Sequence, residues 1–183
     1  VTDRAWGIEV DQRYLRTLQA APRDRDVRLR TDHPGPLRFW YRSSAEPIVA
    51  RTWVRGEPWV LGSRTVGRAT RTEPPPRSGD IEVVLDPSGR LIRFVRTGPG
   101  EDEPSGDPGS AGTDAAAFPQ PAFDPGALFE QAGLDPSRLV SEGPQLGPAG
   151  DTLVWRGAFA DTPARPLRVV VALYEGHLSS FVV

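Results

Sequence analysis

Cysteine, methionine, lysine and asparagine are all missing from this 183-residue chain. Without cysteine there can be no disulfide, no thiol nucleophile and no cysteine-held metal. Without lysine, all 22 basic residues other than histidine are arginine, which points to genome composition rather than to 22 selected guanidinium contacts. The lack of methionine predicts that Val1 is no natural start and that the chain is an excised or processed piece of a longer protein, without signal peptide or anchor. No apolar run is long enough to span a bilayer, so any membrane attachment is expected through a segment outside this chain. The net charge is −2 and the arginines are interspersed with acids, which leaves no electrostatic footprint for nucleic acid. Zinc-protease, phosphate-loop, nucleophile-elbow and dinucleotide fingerprints are absent as well. No catalytic residue, no metal and no cofactor is therefore assigned.

What is present is dominated by a β-hairpin over residues 81–96, IEVVLDPSGRLIRFVR. Its turn, Asp86-Pro87-Ser88-Gly89, places proline where φ near −65° is wanted and glycine where the chain must go left-handed. The return arm is apolar on both faces, the mark of a strand interior to a sheet. A diverged copy closes the chain: setting Gly176 on Gly89 sets Leu178 on Leu91 and Phe181 on Phe94. Each hairpin comes after an aromatic strand, residues 37–43 in one half and 152–159 in the other. Each half also contains a short amphipathic helix. The first, 11–20, has Tyr14, Leu15 and Leu18 on one stripe. The second, 123–133, is capped by Asp124-Pro125 and stopped by Gly133. Residues 23–30 alternate acid and base and read as a solvated loop, and 1–10 offers only Trp6 and Ile8 to pack on the rest of the chain.

Residues 97–121 shift to Gly, Pro, Ser, Ala, Asp and Glu, the composition of a flexible linker. These signals predict an α+β fold of two tandem modules, each a helix packed on an antiparallel sheet. The first covers 1–97 with an irregular insertion at 45–79, the linker covers 98–121, and a second, shorter module covers 122–183.

The insertion has no counterpart in the second half, and it carries Arg51, Trp53, Arg55 and Trp59. Aromatic and guanidinium groups together make recognition surfaces, so these four are the candidate binding residues, for a protein or small-molecule ligand. Trp40, Tyr41 and Trp155 are expected in the core. His33 and His177 fall at turns and read as exposed, and Glu101-Asp102-Glu103 reads as a solvated charge run.

The stretches LRFWYRSS, TEPPPRSGDIEVVLDPSGRLIRF, FDPGALFEQAGLD, LVWRGAF and PLRVVVALYEGHLSSF resemble the C-terminal extracytoplasmic region of bacterial receptor-like serine/threonine protein kinases. The helix-plus-hairpin unit also resembles PepSY-like and cystatin-like modules. Nothing of a kinase is present, since there is no lysine to pair with ATP and no H-R-D or D-F-G. The resemblance implies a non-enzymatic sensor or interaction module, periplasmic or at the cell surface, tethered to the membrane by its parent protein. The alternative from another class is a secreted or periplasmic hydrolase whose site lies between the modules, built from groups such as Asp86, Glu175 and His177.

Overall fold

A computed structural model describes residues 2–19, 23, 25–49, 69–98, 124–147, 150–159 and 165–183. It contains one antiparallel sheet of eight strands in the order β1-β2-β3-β4-β8-β7-β6-β5. The strands are β1 (Asp3–Val10), β2 (Leu37–Ser44), β3 (Ile81–Leu85), β4 (Leu91–Arg96), β5 (Leu139–Gly147), β6 (Gly150–Ala158), β7 (Pro166–Tyr174) and β8 (His177–Val182). Helices α1 (Gln12–Gln19) and α2 (Arg25–Thr31) join β1 to β2, and α3 (Pro125–Gln131) precedes β5 through a 3-10 turn at Pro136–Arg138.

This corrects the expected fold class. The chain does not form two helix-on-sheet modules: β4 pairs directly with β8, so both four-strand meanders belong to one sheet. The physical reason is the two-sided apolarity of β4. That strand does lie inside a sheet, but its second neighbour comes from the far half of the chain. The helices are short, and only α3 joins the large core. Most of residues 23–30, read as a loop, falls in helix α2, and Asp3–Val10 supplies an edge strand.

The two hairpins form as their residues dictate. Asp86 Oδ1 accepts from the amides of Ser88 and Arg90 at 2.8 and 2.9 Å, and Gly89 takes φ 82°. The turn between β7 and β8 uses positive φ at both Glu175 and Gly176, which matches the twist of a two-residue hairpin. Helix α3 is capped by Asp124, which accepts from the Gly126 amide, and ends at Gly133 with φ 64° and a bond from the Leu134 amide to the Phe129 carbonyl.

Residues directly opposite in a ladder point to the same face. A single row of register partners therefore crosses all eight strands on one side: Trp6, Tyr41, Val83, Phe94, Phe181, Val171, Leu153 and Pro144. Toward the β5 side this face is buried by α3, whose Phe129 joins Phe181, Val171 and Val169 and meets Trp155 edge-on at 5.1 Å. In the first half it is the other face that is covered. There Trp40, Val84 and Ile92 cluster, and Gly7 leaves no room for a side chain, because a Cβ would stand 2.7 Å from the Trp40 ring. Residues 69–80 close this side. The buried Arg42 guanidinium donates to the Pro74 carbonyl at 2.7 Å, and Arg71 Nε donates to Glu9 at 2.6 Å. The larger apolar cluster of each half thus lies on a different face of the sheet, although Val154 of β6, on the face away from α3, is fully buried as well.

Candidate functional site

A cluster of polar groups around a buried histidine lies where the two halves meet. His33, in the connection between α2 and β2, is buried, with Nε2 3.0 Å from the Ala132 carbonyl at the end of α3. Its Nδ1 is 2.7 Å from Asp86 Oδ2 but out of line for a directed hydrogen bond, so the contact is a close polar one. The ring meets Phe159 edge-on at 5.7 Å. Arg165 lies over Phe159 at 5.3 Å and over Tyr14 at 5.4 Å, and donates to the Pro34 carbonyl at 3.1 Å. The Tyr14 hydroxyl donates to Asp32, which also accepts from Arg28 Nε at 3.1 Å. Burial first, and then the bond to the Asp32 carboxylate, push the Tyr14 phenol up to about 12.

This junction holds the halves together, and His33 has no free nitrogen to offer a substrate. A carbonyl occupies Nε2, Asp86 is against Nδ1, and the other oxygen of Asp86 is committed to its own turn. The cavity beside it, between His33, Gly133, Leu134 and Leu167, measures about 30 Å³, which has room for water but not for a substrate. The expected exposure of His33 is therefore corrected, whereas His177 is exposed at its turn.

The candidate hydrolase groups are not brought together. Asp86 stands at the end of the sheet where β3 passes to β4, and Glu175 and His177 lie at the opposite end, where β7 passes to β8. At about 3.3 Å per residue the separation exceeds roughly 20 Å. Among the described residues no three His, Asp or Glu side chains converge as a metal site would need, and no helix is long and apolar enough to cross a membrane. The candidate binding residues Arg51, Trp53, Arg55 and Trp59 lie outside the described residues, as do Glu101, Asp102 and Glu103.

Among the described residues, no helix or strand lies over the α3-bearing face of β1 and β2. Three cross-strand pairs, Trp6–Tyr41, Ile8–Phe39 and Val10–Leu37, line it in register. Trp6 is 74% exposed, Ile8 62%, Leu37 44% and Phe39 42%, and Val10 and Tyr41 are just over a third exposed. Of the aromatics expected in the core, Trp40 is buried, Trp155 is half-buried against α3, and Tyr41 turns to this open face. The signal for the surface was available in sequence: Trp6, Ile8 and Val10 alternate with Gly7 and Glu9, and Leu37, Phe39 and Tyr41 alternate with Arg38 and Trp40.

No family model, curated protein or solved structure matches the chain.

Proposed function

We infer that this chain is a non-enzymatic interaction module, carried outside the cytoplasm by a larger membrane protein. The observation that supports this reading is the face of β1 and β2, where six large apolar side chains stand in register and no described helix or strand forms a layer over them. Monomeric proteins seldom expose a contiguous apolar patch beyond a few hundred Å², and larger ones mark interaction sites. Trp and Tyr, both present here, are the residues on which interface energies concentrate. The resemblance to the extracytoplasmic region of receptor-like serine/threonine kinases supplies the context: a module behind a transmembrane helix would sense by binding, and the kinase would respond.

The test is the double substitution Trp6→Ala with Phe39→Ala in the intact parent protein. Trp6 is mostly exposed and Phe39 a little over half buried, so the isolated chain should lose about 2 kcal/mol of stability and stay folded. Binding or signalling by the parent should fall at least tenfold, the effect of removing aromatic anchors from an interface. Full parent activity in the double variant would contradict the reading.

A further inference from the structure

On the reading that this face is an interaction surface, we propose that its partner is a second copy of the chain, packed with its own β1–β2 ribbon against this one. The six side chains stand perpendicular to the sheet. A strand added at the β1 edge would therefore lengthen the apolar stripe without covering it, and only a layer on top can bury it.

The height of that layer is set by α3, which lies on the same face above β4, β8, β7 and β6. Packed layers are about 10 Å apart, and neighbouring strands about 4.8 Å. Strands β1 to β3 therefore form a shelf roughly 15 Å wide beside α3, open on the β1 side, and a two-stranded ribbon fits both its height and its width. No charged side chain interrupts the six residues, so the surface asks a partner only for apolar area, which its own copy presents in equal amount. Their exposures correspond to roughly 500 Å² per copy. Two copies would bury about 1,000 Å², the size at which specific interfaces begin.

Helix α3 also restricts the symmetry. A two-fold axis running across the strands would drive the two α3 helices into each other. An axis running along the strands sends the two helix-bearing halves in opposite directions and closes an isologous dimer. Strand β1 then lies over the other copy's β2, with Trp6 above the partner's Tyr41 and Ile8 above the partner's Phe39.

Sedimentation of the chain from about 1 µM to about 1 mM brackets the affinity of an interface this small. The expected result is a mass that rises to the dimer with concentration. Trp6→Ala should weaken association about thirtyfold, and Ile8→Ala should weaken it in the same direction. Val140→Ala, 70% exposed on the opposite edge strand, should leave it unchanged. A wild-type chain that stays monomeric throughout would overturn the proposal, as would a dimer that neither Trp6→Ala nor Ile8→Ala weakens. A monomeric chain whose parent still loses function in the Trp6→Ala, Phe39→Ala double variant would sink self-association and keep the interaction reading. Unaffected parent function would sink the interaction reading itself.

Discussion

Phe181→Ala is expected to destabilise the chain by about 3–5 kcal/mol, the range for deleting a fully buried phenylalanine and leaving its cavity. Phe181 has no exposed surface, and it is the residue on β8 that faces Phe94 across the β4–β8 ladder. On its other side it pairs with Val171 of β7, and α3 covers it through Phe129. The lost contacts therefore belong to both halves at once. Against a typical stability of about 5–15 kcal/mol, the change should lower the midpoint of one cooperative transition that both halves share. Val140→Ala, at an exposed site on the edge strand β5, should stay within about 0.5 kcal/mol and serves as the control. Chemical denaturation monitored by tryptophan fluorescence measures both, and a loss below about 1 kcal/mol for Phe181→Ala would place that side chain outside the core.

The second large effect is expected at His33. His33→Ala removes a buried ring that touches Asp86 from the first hairpin, the Ala132 carbonyl at the end of α3 and Phe159 at the end of β6. It leaves a buried carboxylate oxygen facing a hole and strips the carbonyl of its donor. Leaving a buried polar group without its partner costs about 1–3 kcal/mol, in addition to the packing lost with the ring. Asp86→Asn keeps Oδ1 as the acceptor for the Ser88 and Arg90 amides and alters only the side facing His33. A double-mutant cycle between the two substitutions should therefore show a coupling of about 1 kcal/mol or more. Strictly additive losses would mean that His33 and Asp86 do not sense each other.

Much of the local structure was legible in the sequence. Asp86-Pro87-Ser88-Gly89, the Asp124-Pro125 cap and the Gly133 stop each specify their own backbone, and all three form as their residues require. The repeat that set Phe181 on Phe94 was also informative. Those two equivalent residues are direct partners across the centre of the sheet, the arrangement a two-fold relation between similar halves produces. The pattern of β4 says that a strand has neighbours on both sides, but not which strands they are. That information lies in the pairing of β8, far along the chain. This is why two modules were expected where one sheet forms.

Other elements failed for local reasons. Strand β5 was not anticipated: it contains Gly143 and Pro144, yet an edge strand tolerates both, and the register shift between Ser141 and Gly143 absorbs the irregularity. Helix α2 has a charge-alternating sequence with a single apolar pair, Val27 and Leu29, too weak a stripe to announce a helix. The burial of His33 was not legible at all. A histidine between a charged run and a Pro-Gly-Pro segment looks solvated, and it is enclosed only because Asp86, Ala132 and Phe159 arrive from three distant parts of the chain. The open face of β1 and β2 was half legible: the alternation marks the strands, but exposure depends on α3 covering the other half of the same face.

The central structural claim is that β4 and β8 make the two halves one sheet, so that neither half is complete alone. Its most direct test is a protease site placed within residues 99–123, with cleavage under native conditions and measurement of the mass in solution. The fold predicts that the cut chain keeps the mass of the whole and its single unfolding transition, because the β4–β8 ladder and the His33 junction still join the pieces. Two fragments that part, each folded and melting on its own, would contradict it.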